Sequence, residues 1–159
     1  MIRFCAVLLM VIGGLAAAVH ADPVDGGEAE VRQTLAGFIQ AFDNLDWETF
    51  RAAFADNATV FYPRQIQTRA DGRAEFEKFF QQVFESIRAG KTKGPYMNLQ
   101  PRDLKVQLAG DVAIATFFLD DRPGFLNRRT IVFKKQANAW KIIHLHASEI
   151  ALPPDQQQP

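Results

Sequence analysis

The sequence predicts a single α+β domain in which helices at the front of the chain cover one face of an antiparallel sheet. A length of 159 residues fits one domain, and 48% hydrophobic with 23% charged residues is an ordinary globular composition. Up to Ala89, most of the apolar residues recur at helical intervals. From Leu104 onward, apolar and polar residues alternate with a period of two, which is typical of strands.

The charge balance excludes one class of partner. Eighteen basic and eighteen acidic residues cancel to a net charge of zero, so the composition offers no long basic face for a phosphate backbone. We therefore expect no nucleic-acid partner. Fourteen phenylalanines in so short a chain predict a core, or a cavity wall, built from flat rings.

Three helices are predicted from apolar periodicity and capping residues. Asp25 and Glu28 have the spacing of a capping box ahead of a first helix that runs to Asp43. Asp46 caps a shorter second helix, which is expected to end at Asp56 and Asn57. A third helix spans Arg73–Ala89, with Gly90 as its C-terminal cap and an apolar stripe on one face: Phe76, Phe79, Phe80, Val83, Phe84 and Ile87.

Five strands complete the predicted element order α-α-β-α-β-β-β-β. They cover Ala58–Tyr62, Leu104–Leu108, Val112–Leu119, Arg128–Lys135 and Ala139–Glu149. Asn138 is expected in the last turn because it tolerates a left-handed backbone. Long twisted strands curl around the helices that cover them, so the sheet is expected to form a half-closed cone with a pocket.

The N-terminus has the features of a secretory signal peptide. Arg3 is followed by fifteen uncharged residues, 4–18, and then by small residues at Val19 and Ala21. Cleavage after Ala21 predicts a periplasmic or secreted protein and removes Cys5, the only cysteine, so no disulfide is expected. The predicted organisation is a signal peptide over 1–21, a domain over 22–150 and a disordered polar tail over 151–159.

Three stretches resemble one known superfamily. Asp56–Pro63 resembles a segment that ends a helical pair and enters a strand, and Arg69–Arg73 resembles an Arg-x-x-Gly-Arg entry to a third helix. Trp140–Ser148 is similar to the Trp, His-x-His, Ser ending of calcium/calmodulin-dependent kinase association domains and their bacterial relatives. The chain thus resembles the NTF2-like superfamily, and its SnoaL-like branch, over roughly residues 27 to 149.

The resemblance implies a cone-shaped α+β domain with a pocket between sheet and helices, usually dimeric through the sheet. It implies no single activity, because the superfamily includes isomerases, cyclases, dehydratases, binders and assembly modules. The predicted first helix, from Glu28 to Asp43, contains no tyrosine. The phenol that ketosteroid isomerase carries on its first helix therefore has no counterpart here.

Strict alternation places five residues of the last strand on one side of the sheet: Trp140, Ile142, His144, His146 and Ser148. The two histidines then line the pocket, where each could move a proton, or they serve as hydrogen-bonded structural residues. A metal site would need a third ligand that no spacing selects. We expect neither a metal nor another cofactor.

Two other groups are candidates for the mouth of the pocket. Arg129 shares a face with Ile131 and Phe133, where it could bind a carboxylate ligand or form an ordinary ion pair. Tyr62 ends the first strand. Of the acids nearest the helical pair, Asp43, Asp46 and Asp56, the last two lie where caps and turns need a short carboxylate, and none of the three is expected to be catalytic.

The function expected from these residues is binding of a small apolar or carboxylate-bearing molecule. The predicted ligand-binding residues are Tyr62, Arg129, Thr130, His144, His146 and Ser148. Two alternatives stay open: a lyase or isomerase using a pocket histidine as acid or base, and an oligomerisation module without ligand. A homodimer is expected through the outer face of the sheet, where alternation places Ile143 and Leu145.

Overall fold

The computed structural model of the chain describes residues 24–63, 66–91, 93–119, 123–153 and 155. The predicted signal peptide and the last four residues of the predicted tail lie outside them. Three helices lie in the described part: α1 (Val24–Asp43), α2 (Trp47–Ala52) and α3 (Arg73–Gly90). None of them is long and apolar enough to cross a membrane.

Helix α2 begins as predicted and ends earlier. Asp46 caps it, its Oδ1 accepting a hydrogen bond from the Thr49 amide at 3.2 Å. The predicted end at Asp56 and Asn57 is wrong, because strand pairing takes over first. The Ala53 carbonyl accepts the Ile142 amide at 2.9 Å.

Six strands form one mixed, curved sheet that is not closed. They are β1 (Phe54–Phe61), β2 (Arg69–Asp71), β3 (Arg102–Ala109), β4 (Val112–Leu119), β5 (Phe125–Gln136) and β6 (Ala139–Ala151), in the order β2-β1-β6-β5-β4-β3. The predicted α+β cone is confirmed, with two corrections. The sheet is not wholly antiparallel, because β1 pairs in parallel with β6. The short strand β2 was not predicted.

A β-bulge in β6 changes which side chains face the helices. Val132 pairs with His144 and Phe133 with Ile142, so Ile143 is the extra residue. Before the bulge, Trp140 and Ile142 lie on the concave face, towards the helices. After it, Leu145 and Ala147 lie there, both less than 10% exposed. The prediction that His144, His146 and Ser148 share a face with Trp140 was therefore wrong.

Because of the same bulge, one residue predicted on the outer face of the sheet lies on the opposite face. Leu145, expected on the convex side of the sheet, is buried on the concave side. The turn after β5 was predicted correctly. Asn138 adopts a left-handed backbone with φ of 68°, next to Ala137 at 45°.

One part of the molecule, which we call the packed region, joins β1 to the start of α3 through Phe54, Phe76 and Arg73. The two rings stack with centroids 4.6 Å apart, and both are almost fully buried. The Arg73 guanidinium donates to Asp56 Oδ1 at 2.7 Å, to Glu77 Oε1 at 3.0 Å and to the Phe54 carbonyl at 3.1 Å. Hydrogen bonding and ring packing are thus both satisfied in the packed region.

A second cluster of side-chain hydrogen bonds joins strands β5 and β6 to α1. Glu30 Oε2 accepts from Trp140 Nε1 at 3.0 Å and from Lys135 Nζ at 2.7 Å. The hydrogen bond from Lys135, followed by the one from Trp140, lowers the pKa of Glu30. The β5–β6 hairpin is thereby held against the first helix.

Candidate functional site

A cavity of about 440 Å³ lies between the concave face of the sheet and the helices. We call it the cone cavity. Six phenylalanine side chains from both layers form much of its wall: Phe38, Phe42, Phe50, Phe79, Phe80 and Phe117. The residues of the predicted apolar stripe on α3 therefore have two roles. Phe79 and Phe80 line the cavity, whereas Phe76 and Phe84 are buried in the core.

Four polar side chains lie among these apolar walls. They are Tyr62, Gln82, Ser86 and Arg129. Arg129 is on the concave face with Ile131 and Phe133, as alternation predicted, and is paired across β6 with Ala147. Among the lining residues that the structure describes, Arg129 is the one cationic group.

Tyr62 packs against Phe79 and Phe80 and is only 7% exposed. Its ring centroid is 3.7 Å from that of Phe79, closer than the usual 4.5–7 Å between aromatic rings. Its hydroxyl is buried and has no hydrogen-bond partner among the described residues. Burial, with a smaller contribution from Glu75, raises the pKa of Tyr62 to about 12, so the phenol is a neutral donor at physiological pH.

A second depression of about 470 Å³ opens where β1 ends. The parallel pairing stops at Phe61 and His146, whereas β6 continues to Ala151 on its other edge. We call this depression the notch. It is lined by Phe61, Tyr62, Ile66, Phe125, His146, Ala147, Ser148 and Glu149.

The two histidines lie on the convex face with different surroundings. His144 is half-buried, and its Nδ1 is 2.8 Å from Thr59 Oγ1 on β1. Burial lowers the pKa of His144, and the nearby charges of His146 and Arg69 act in the same direction. His146 is exposed at the edge of the notch, its ring 5.5 Å from that of Phe61.

The sequence of the chain matches one known protein family. The model of the SnoaL-like domain matches residues 31–153, which include most of α1, the other two helices, the whole sheet and both depressions. The chain belongs to the SnoaL-like family. The resemblance to NTF2-like proteins is thereby confirmed. No curated protein sequence matches this SnoaL-like chain.

Solved structures share the fold. An NTF2-like protein of unknown function from Pseudomonas putida KT2440 is 24% identical with a TM-score of 0.65, covering 83% of this chain and 92% of that one. A candidate dehydratase of the NTF2-like family from Streptomyces avermitilis is 22% identical with a TM-score of 0.63, covering 77% and 94%. A candidate calcium/calmodulin-dependent protein kinase type II association domain from Thiobacillus denitrificans is 22% identical with a TM-score of 0.59, covering 75% and 94%.

The predicted site residues of this SnoaL-like domain fall into three groups. Tyr62 and Arg129 line the cone cavity. His146 and Ser148 line the notch, which Tyr62 also reaches. His144 and Thr130 line neither. Within the described ranges, no three histidine, cysteine or acidic side chains are grouped so that they could hold a metal ion.

One acid of the helical pair has the structural role expected of it, since Asp46 caps α2. Asp56 was expected at a cap or turn, but it lies within β1 and pairs with Arg73. The Asp43 carboxylate accepts the Leu99 amide at 3.0 Å and holds the loop before β3. Burial raises the pKa of Asp43, although its backbone hydrogen bonds oppose the shift.

Leu145 and Ala147 are the cavity residues that alternation missed. The sequence does carry a sign of the bulge. Apolar residues occupy even positions at Trp140 and Ile142 and odd positions at Leu145 and Ala147, with apolar Ile143 where the phase changes. A change of phase within one strand is what a one-residue bulge requires.

Proposed function

We propose that this SnoaL-like protein binds a small apolar or carboxylate-bearing molecule in the cone cavity. The supporting observation is the cavity itself, because protein interiors are normally packed without voids larger than a water molecule. Its 440 Å³ lies within the range of about 300–1,000 Å³ typical of ligand pockets. An engineered apolar cavity of about 150 Å³ already admits benzene.

The polar groups on the wall limit what can bind. Arg129 supports a ligand with a carboxylate, since a guanidinium can bind both oxygens of that group. The neutral Tyr62 phenol adds a donor close by. Apart from Gln82 and Ser86, the rest of the wall is apolar, so the body of the ligand must be apolar.

The alternatives have less support. An acid or base histidine in the cone cavity would require His144 or His146 on the concave face, and the bulge places both on the convex face. No carboxylate in the described part of the chain forms a hydrogen bond with either ring. A ligand-free module is disfavoured by the unfilled cavity. The candidate dehydratase shares only the fold at 22% identity.

Naphthalene tests the binding proposal directly. We expect it to bind one molecule per chain and to raise the melting temperature, because a ligand that binds only the folded state stabilises it by mass action. Val83→Trp should abolish the effect by filling the cavity from α3. Lys78→Trp, on an exposed position of the same helix, is the matched control and should retain it. An equal response in the two variants would contradict binding in the cone cavity.

We also propose export through the N-terminal segment. The uncharged run over 4–18 and the small residues at Val19 and Ala21 support cleavage after Ala21. N-terminal sequencing of protein recovered outside the cytoplasm should begin at Asp22. Recovery of the chain with Met1 intact in a membrane fraction would contradict the proposal.

We further propose a homodimer through the convex face of the sheet. With Leu145 on the other side, the apolar contribution comes from Phe61 and Ile114, each almost 40% exposed, together with half-buried Ile143. Apolar side chains in such a surface favour a partner. Sedimentation should give a dimer at micromolar concentration and a monomer for Ile114→Lys. A wild-type monomer would be evidence against the dimer.

A further inference from the structure

The cone cavity and the notch are adjacent, because they share part of their lining. Three residues line both depressions: Tyr62, Ile66 and Ala147. Ala147 is the β6 residue at the boundary, and its methyl group adds little bulk there. β1 has already ended at Phe61, so no described strand covers the β1-facing edge of β6 beyond His146.

The two depressions differ in chemistry. The cone cavity is walled mainly by phenylalanine rings and aliphatic side chains. The notch brings together the His146 ring, the Ser148 hydroxyl and the Glu149 carboxylate. Imidazole and hydroxyl groups can each donate or accept a hydrogen bond, so they suit an oxygen-bearing head group.

We propose that cavity and notch form one continuous site for an amphiphile, with its apolar body in the cone cavity and its oxygen-bearing head in the notch. This inference rests on the proposed function and adds the class of ligand to it. Tyr62 lies at the junction. Displacement of its ring, which lies 3.7 Å from that of Phe79, would join the two spaces and bring its hydroxyl, which has no partner among the described residues, within reach of the bound molecule.

The β6 bulge supplies matched positions for a test. His146 and Ser148 line the notch, whereas His144 and Thr130 lie on the same convex face outside both depressions. The double variant His146→Ala/Ser148→Ala therefore removes the notch groups. His144→Ala/Thr130→Ala removes the same kinds of group next to them.

The probes are naphthalene, 1-decanol and decanoate, titrated calorimetrically into the full-length chain and both double variants. We expect the notch variant to bind 1-decanol or decanoate about tenfold more weakly than wild type, as loss of two hydrogen bonds implies, and naphthalene unchanged. The control variant should bind all probes as wild type does. The stronger of the two headed probes identifies the head group as hydroxyl or carboxylate.

The outcomes separate the two proposals. If naphthalene does not bind the wild-type protein, the proposed function is wrong. If naphthalene binds but the headed probes bind equally well to both double variants, the amphiphile inference alone is overturned. Should a double variant fail to fold by circular dichroism, Ser148→Ala and Thr130→Ala make the same comparison with single changes.

Discussion

The packed region and the cone cavity use the same residue type with opposite results. In the packed region, Phe54 stacks on Phe76 with ring centroids 4.6 Å apart and is 1% exposed. The rings around the cone cavity leave about 440 Å³ unfilled between them. Phenylalanine content alone therefore does not distinguish a core from a cavity wall, and the arrangement of the elements does.

Polar groups show the same contrast. Arg73 uses three of its nitrogens in hydrogen bonds to side chains and carbonyl oxygens around Phe54. Tyr62, at the cavity wall, buries a hydroxyl that has no partner in the described part of the chain. Such a group costs stability, so its presence fits a site kept for a ligand better than a site optimised for packing.

Removal of one phenylalanine ring from each region should reveal the largest difference in stability between them. Phe54→Ala is expected to lower the free energy of unfolding by about 3–5 kcal/mol, because it opens a void in a filled core. Phe79→Ala should cost less than about 3 kcal/mol, since its ring already borders empty space. Urea unfolding of both variants measures the difference. Equal losses would mean that the two regions are packed alike.

The two tyrosines of the chain give a smaller effect of opposite sign. Tyr62→Phe should raise the free energy of unfolding by about 1 kcal/mol, because it removes a buried hydroxyl for which the described residues supply no partner. Tyr96→Phe, in the loop before β3, is the control and should change stability by less than about 0.5 kcal/mol. Thermal and urea unfolding report both values. A loss of stability in Tyr62→Phe would show that the hydroxyl has a partner in solution.

The smallest expected effect concerns pH and the two convex-face histidines. The pKa of His144 is lowered from its ordinary 6.5, so the folded state favours the neutral ring. Its contribution to stability is complete above pH 6.5 and is lost as the pH falls through the lowered value, because the unfolded state binds the proton more readily. His144→Gln should flatten the pH dependence of urea unfolding between pH 7.5 and 5. A slope identical to wild type would refute this role of His144.

Local rules predicted most of the elements. Apolar spacing located α1 and α3, Asp46 marked the start of α2, and Asn138 marked the last turn. The local rules failed where pairing with a strand far away in the sequence determines the secondary structure. The end of α2 depends on Ile142, almost ninety residues away in the chain, and β2 exists because Arg69–Asp71 pairs with Thr59–Phe61.

The positions of the candidate site residues were also predicted only in part. Arg129 follows strict alternation in β5, and its position on the concave face was predicted correctly. His144, His146 and Ser148 were placed on the wrong face, because alternation assumes an unbroken register. One inserted residue at Ile143 reverses every side chain after it.

Periodicity and composition predicted the α+β class and the aromatic content of the interior, and the resemblance of three short stretches to known proteins predicted the family, because all of these are local patterns of residues. The tertiary structure decided which phenylalanines pack and which enclose space, which face the histidines occupy, and where β1 leaves β6 to open the notch. These outcomes depend on pairing between segments far apart in the chain. Apart from the change of apolar phase at Ile143, no local pattern records the register at which such segments meet.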